Sequence, residues 1–280
     1  MREFKRAGIA PKKGLGQHFL VDTKVAQDIV RLALLQPHDI VVEIGPGIGA
    51  LTLLMLPLVR KVVAVEVDRE LADYLRQRAK SAKNLEVVHQ DVLEFDFGKL
   101  ACDEGRKLQI VANLPYNIST PVIFRLIDRR KALDHLTLTL QREVAERIVA
   151  NPGGKEYGSL SIFVQLFSTA KILMRIPSRA FYPQPQVESA TVGFRVLPYP
   201  RIQIGDMDFF RRVVRTSFGQ RRKTILNALT SGAEPLGSKA QIKRALEGAG
   251  IEPGCRAEML GLADFKRLVE ALEEPAGSTM

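Results

Sequence analysis

Four short stretches carry side chains suited to chemistry on a nucleotide. In EIGPGIGA (43–50), Gly45, Gly47 and Gly49 alternate between a strand-like and a helix-like run, where missing side chains let a ligand approach the backbone amides. Twenty-one residues after Gly45 comes Glu66, whose carboxylate can accept from both hydroxyls of a ribose. In HQDVLEF, Asp91 can accept from an adenine amino group while Val92 packs on the ring. Fourth is NLPY, Asn113 to Tyr116, directly after the apolar run LQIVA. The loop alone is ambiguous, because Gly45, Gly47 and Ala50 also fit G-x-G-x-x-A, a dinucleotide signature. A lone Asp at a strand end is ordinarily a cap or turn residue. Gly45, Glu66 and Asp91 at three successive strand ends point to one cofactor groove.

NLPY separates hydride transfer from methyl transfer. The amino lone pair of adenine is delocalised into the ring and attacks a sulfonium methyl poorly. Two acceptors at the amine hydrogens, the Asn113 side-chain oxygen and the Leu114 backbone carbonyl, favour pyramidalisation and aim the lone pair. Pro115 stiffens the turn, so the acceptors are held ready. Tyr116 can stack on an extruded base. A dinucleotide oxidoreductase has no use for this set. Neither a general base before attack nor a metal is expected.

The elements that must position these residues follow a βαβ rhythm. DIVVEIG (39–45), KVVAVEVD (61–68), LEVVHQD (85–91), LQIVANL (108–114) and LTLTLQ (136–141) read as strands covered on both faces. Helix-like runs lie between them: ALTLLMLPLV, RELADYLRQRAK, and TPVIFRLIDRR with its start at Thr120 and Pro121. Asp22 suits the N-cap of an opening helix, TKVAQDIVRLALL. KILMRIP (171–177) and SATVGFRVL (189–197) suit an antiparallel hairpin at the sheet edge. The expected fold is α/β, a doubly wound, Rossmann-like sheet over residues 1–200, with residues 1–20 as a basic arm. From 201 to 280 short runs such as DFFRRVVRTSF and RRKTILNALT predict a small all-α domain, and the final EPAGSTM is expected to fray.

Composition narrows the partners. The net charge is +10. Residues 211–223 hold six basic side chains and no acidic one, and residues 1–13 hold five against Glu3. One-signed clusters favour a polyanion, since they displace counterions from phosphates. Lys12, Lys13, Arg221, Arg222 and Lys223 are the candidate nucleic-acid contacts, and the family resemblance below implies that the nucleic acid is RNA. No apolar run reaches the length of a membrane span, the basic start lacks a following apolar stretch, and Cys102 and Cys255 lack metal spacing. These features suit a cytoplasmic chain with no membrane partner, and nothing suggests more than a monomer.

NLPY resembles the [DNS]-P-P-Y element of S-adenosylmethionine-dependent amino-methyltransferases. With KKGLGQHFL (12–20), VVEIGPGIGALT (41–52), QREVAERIVA (141–150), YGSLSI (157–162), PSRAFYPQPQVESA (177–190) and FGQRRKTILNAL (218–229), the chain is similar to the ribosomal RNA adenine N6-dimethyltransferases from residue 12 to about 270. The resemblance implies S-adenosyl-L-methionine as cofactor, contacted by His18, Leu20, Gly45, Gly47, Glu66, Asp91, Val92 and Asn113. His18 stands where the family more often has Asn. The resemblance also implies that Phe181 sandwiches the target adenine opposite Tyr116. One family branch dimethylates two adjacent adenosines in the terminal hairpin loop of small-subunit rRNA, within the 30S precursor. The other modifies one adenosine of large-subunit rRNA. Length and the helical tail favour the first; a catalytically silent RNA-binding factor on the same fold is the alternative outside enzymology.

Overall fold

The computed structural model describes residues 10–232 and 234–273, without the side chain of Lys13. The expectations for residues 1–9, for the Lys13 side chain and for EPAGSTM lie outside these. The chain divides into two compact units. One runs to Glu146 and resumes over Phe167–Pro198; the other comprises Arg147–Leu166 and the chain from Tyr199 onward. Residues 147–166, assigned to the first domain by linear reading, thus fold with the helical tail. Within that unit Tyr157 packs edge-on against Phe218 at 6.2 Å between ring centroids, and Phe163 against Phe210 at 6.3 Å.

The first unit holds β1 (Phe19–Leu20), β2 (Ile40–Ile44), β3 (Lys61–Glu66), β4 (Leu85–His89), β5 (Leu108–Asn113), β6 (Leu133–Gln141), β7 (Ser168–Ile176), β8 (Phe181–Tyr182) and β9 (Ser189–Val196). Seven of these form one sheet in the order β4-β3-β2-β5-β6-β9-β7. The pairs from β4 across to β6 are parallel, and β9 runs antiparallel to both β6 and β7. The expected hairpin is present, with its second strand inserted beside β6. β2 is buried along its whole length, as expected of a strand covered on both faces, whereas the edge strand β4 is half-exposed. From β2 the chain builds outward to β3 and β4, then crosses back to β5 and β6. The order therefore reverses between β2 and β5, and the crevice beyond their carboxyl ends is where such sheets bind ligands. Ile44 pairs with Ala112, which sets Gly45 beside Asn113 at that point.

Helix α1 (Thr23–Leu32) starts at Asp22, whose carboxylate accepts from the amides of Lys24 and Val25. Helix α2 (Thr52–Met55) is a single turn, much shorter than its apolar run suggests: Leu56 keeps helical backbone and donates to the Thr52 carbonyl, but Pro57 has no amide to carry the ladder further. α3 (Arg69–Arg78) is capped by Asp68, and α4 (Phe97–Asp103) by Asp96. α5 (Ser119–Asp128) begins one residue before the expected Thr120, with Ser119 Oγ donating to the Tyr116 carbonyl at 3.2 Å. α6 (Arg142–Val149) and α7 (Ser159–Phe167) follow.

The helical unit continues with α8 (Met207–Phe218), α9 (Ile225–Ser231), α10 (Lys239–Gly248) and α11 (Leu262–Glu273). Arg221, Arg222 and Lys223 were expected in a helix with ILNALT. They instead occupy a turn and bend, because Thr224 caps α9 by accepting from the Asn227 amide.

Beside the main sheet, β1 and β8 pair antiparallel, with Phe19 opposite Tyr182 and Leu20 opposite Phe181. This clip brings the chain on either side of Phe19 to the carboxyl end of β5. Leu20 and Phe181 sink into one apolar cluster with Ile29, Val30, Val41 and Val111.

Candidate active site

Three glycines shape the turn after β2, each with positive φ: 65° at Gly45, 56° at Gly47 and 85° at Gly49. Their surroundings differ. A Cβ at Gly47 would lie 2.8 Å from the Phe19 ring, and one at Gly49 would lie 2.7 Å from Leu75. At Gly45 the nearest atom is Pro115 Cδ at 3.9 Å. Gly47 and Gly49 are therefore required by packing, whereas Gly45 faces open space. A small cavity there is bounded by Phe19, Leu20, Glu43, Gly45, Gly47 and Asn113.

Glu66, only 4% exposed, ties the loop to the end of β3. Its Oε2 accepts from the Gly47 amide at 3.1 Å and its Oε1 from the Asp68 amide at 3.0 Å. Burial pushes this carboxyl up, and the two amides oppose the rise. Each oxygen keeps a lone pair, so acceptance from ribose hydroxyls remains compatible with the loop contacts. At the end of β4, Asp91 is exposed and its Oδ1 accepts from the Leu93 amide at 2.8 Å. It shapes the turn with one oxygen and keeps the other, while Val92 is buried. An open face at Gly45, a fixed carboxylate and an acidic turn suit the nucleoside of S-adenosylmethionine.

Glu43 was missed by sequence reading. It sits inside β2, only 2% exposed, and accepts from Thr52 Oγ1 at 2.5 Å. Burial raises its carboxyl to about 8, with the neighbouring Glu66 charge adding to the rise. The signal was a carboxylate interrupting the otherwise apolar IVVEI directly before the glycine turn.

Asn113 closes β5. Its Nδ2 donates to the His18 carbonyl at 2.9 Å. Two oxygens would repel at that separation, so the contact fixes the amide with its nitrogen toward His18 and Oδ1 away. Among the described residues no protein donor reaches Oδ1. Leu114 is buried and its amide donates to the Thr139 carbonyl at 3.1 Å, pinning the turn to β6. No backbone amide among the described residues donates to the Leu114 carbonyl. The Pro115 carbonyl accepts from the Ile118 amide, which rounds the turn into α5.

Tyr116 shares a 2.6 Å hydrogen bond with Ser189 Oγ, and burial pushes its phenol up. One face of its ring stacks on the His18 imidazole, with centroids 5.1 Å apart and planes 28° off parallel. A nucleobase can therefore stack only on the other face.

Two expectations are corrected here. The His18 imidazole does not turn toward the cofactor cavity: its Nδ1–H donates to the Pro183 carbonyl at 2.7 Å while the ring packs on Tyr116. His18 reaches the site through its carbonyl. Phe181 is 3% exposed and packed in the apolar cluster under Leu20, because its pairing with Leu20 turns both side chains inward. In this state it is core, not an open stacking face. Leu20 lines the cavity.

Among the basic candidates, Lys12 is engaged at the cofactor end, with Nζ 2.8 Å from Asp68 Oδ1 and 2.9 Å from Glu70 Oε2. Arg221, Arg222 and Lys223 are exposed. The Arg221 guanidinium donates to the Lys155 carbonyl of the same unit. A roomier groove of about 580 Å³ opens at the amino ends of the strands, beside His38, His135 and Lys171. It shares no residue with the strand-end constellation, so volume does not mark this site.

A model of the family described as ribosomal RNA adenine dimethylase matches residues 10–274. The chain is 42% identical over 260 residues to ribosomal RNA small subunit methyltransferase A of Alkaliphilus metalliredigens, covering 92% of this chain and 90% of that protein. It is 43% identical over 277 residues to the protein of that name from Moorella thermoacetica, covering 96% and 95%. Among solved structures, a dimethyladenosine transferase from Plasmodium falciparum matches with a TM-score of 0.74 and 28% identity over 90% of this chain and 96% of that one. The 23S rRNA methyltransferase ErmE matches with a TM-score of 0.68 and 25% identity, over 91% and 100%.

Proposed function

The chain belongs to the ribosomal RNA adenine dimethylase family, and from that membership we propose that it dimethylates N6 of two adjacent adenosines in the 3′-terminal hairpin loop of small-subunit rRNA. Small-subunit specificity is favoured over the large-subunit alternative by the identities above 40% to proteins named for the small subunit. S-adenosylmethionine supplies the electrophilic methyl when bound. Glu66 and Asp91 hold its nucleoside, and the open backbone at Gly45 gives it room.

The observation that carries the reading is the orientation of Asn113. With Nδ2 given to the His18 carbonyl, Oδ1 is presented as an acceptor. The Leu114 carbonyl supplies the second. An amine donating to both is held with its lone pair directed away from them, and these groups need no reorganisation when charge develops. Tyr116 receives the extruded base on the ring face opposite His18. Arg221, Arg222 and Lys223 contact rRNA phosphates. The enzyme works as a monomer in the cytoplasm, on the 30S precursor; among the described residues no helix is long and apolar enough to cross a membrane.

Mass-spectrometric mapping of methylated nucleotides, after incubation with unmodified 30S subunits and separately with protein-free 23S rRNA, tests the substrate. Two neighbouring dimethyladenosines in the small-subunit RNA are expected; label confined to 23S rRNA would transfer the chain to the other branch. Asn113→Ala should lower turnover by about 10²–10³-fold with RNA binding intact. Unchanged turnover would remove the assigned role.

A further inference from the structure

The chain from Lys12 to Leu20 is tied down at both ends of the candidate site. At one end Asp68, whose side chain is 3% exposed, receives the Lys12 ammonium on Oδ1 at 2.8 Å and the Gln17 amide on Oδ2 at 3.2 Å. Glu70 adds a second carboxylate to Lys12 at 2.9 Å. The Lys12 amide donates back to Gln17 Oε1 at 2.8 Å, closing a loop over residues 12–17. At the other end the His18 carbonyl accepts from Asn113 Nδ2 and the His18 ring stacks on Tyr116. Between them, a Cβ at Gly16 would lie 2.7 Å from Asn117 Oδ1, so the strap runs hard against the residue that follows NLPY.

Asp68 is also joined to the cofactor side, because its amide donates to Glu66 Oε1. One run of contacts thus links the ribose acceptor Glu66, through Asp68 and the strap, to the amine acceptor Asn113. We propose that Lys12, Gln17 and Asp68 are positioning residues: they latch the strap so that the His18 carbonyl meets Asn113 and holds its Oδ1 toward the target amine. This rests on the amine-acceptor role of Asn113 and assigns Lys12 to the latch rather than to RNA. A latch lost at Lys12 frees the His18 carbonyl to drift, and the Asn113 amide can then present its nitrogen to the amine, where two donors face each other.

The test compares wild type, Lys12→Ala and Lys12→Arg as full chains. Three quantities are measured: single-turnover methylation at saturating cofactor and RNA, RNA affinity by filter binding across a salt series, and backbone hydrogen exchange over residues 15–20. For Lys12→Ala the latch predicts about a 10–100-fold loss of the methylation rate. It also predicts RNA affinity within twofold, an unchanged salt slope, and faster exchange over 15–20; Lys12→Arg restores all of these. A phosphate contact predicts the reverse, with weaker RNA binding, a salt slope reduced by about one and an unchanged saturated rate. That result, or unaltered exchange in Lys12→Ala, overturns the latch. Exchange is read without turnover, so a wild type that methylates nothing would sink the proposed function and still leave the latch to be decided.

Discussion

Glu43 shows what a single buried carboxyl does at this site. With its charge disfavoured by burial and by Glu66, it holds a proton to about pH 8 and accepts from Thr52, which anchors the start of α2 behind the glycine turn. The direction of the pH effect follows from linkage. Below about pH 4.5, its ordinary value, both folded and unfolded chains carry the proton. As pH rises above that, the unfolded chain ionises while the folded one does not, so stability is lost progressively until about pH 8. Glu43→Gln keeps an acceptor for Thr52 and removes the titration. Thermal unfolding of the two proteins between pH 5 and 8 should show wild type losing a few kcal/mol relative to the variant. Parallel curves would mean that Glu43 ionises normally.

The β2–α2 turn separates packing from binding within one element. Gly49→Ala places a methyl 2.7 Å from Leu75 at a φ of 85°, so it should cost about 1–3 kcal/mol of stability. Gly45→Ala meets nothing closer than 3.9 Å and carries only the backbone cost of its positive φ, about 1 kcal/mol, while its methyl enters the cofactor cavity. Calorimetric titration with S-adenosylmethionine and thermal unfolding should therefore rank the variants oppositely: Gly45→Ala weaker in binding, Gly49→Ala lower in Tm. Equal losses in both assays would remove the distinction. The turn was legible in the sequence because alternating glycines after an apolar strand have few other uses. So were the βαβ order, Asp22 as a cap, and the grouping of Gly45, Glu66 and Asn113 at strand ends, all set by local chemistry and periodicity. What was not legible depended on long-range pairing. Only the register of β1 with β8 buries Phe181 and swings the His18 imidazole to Pro183, and neither follows from spacing. α7 was hidden because SLSIFVQLF is apolar nearly all round, which blurs a helical period.

Over the whole molecule, the net charge of +10 does not say which cations are open to RNA, because part of the 41 Lys and Arg side chains already face carboxylates. Lys61 lies 2.9 Å from both Glu86 and Glu104, and Arg142 pairs with Glu188 at 2.8 Å and Glu146 at 3.5 Å. Lys12 is held by two carboxylates. Arg222 and Lys223 differ: both are exposed, and among the described residues neither has an acidic partner within ion-pair distance. Their turn is held by the Lys223 amide on the Gln220 carbonyl, so the side chains are presented from ordered backbone. A cation without a carboxylate partner gives up no ion pair when it meets a phosphate, and its release of counterions appears directly in the salt dependence. Arg222→Ala should therefore weaken rRNA binding and lower the slope of log K against log salt by about one, with the methylation rate at saturating RNA unchanged. Arg142→Ala, whose guanidinium already sits between two glutamates, should leave the slope as it is. Filter binding across a salt series decides between them: equal slopes for Arg222→Ala and wild type would place the RNA-contacting surface elsewhere on the protein.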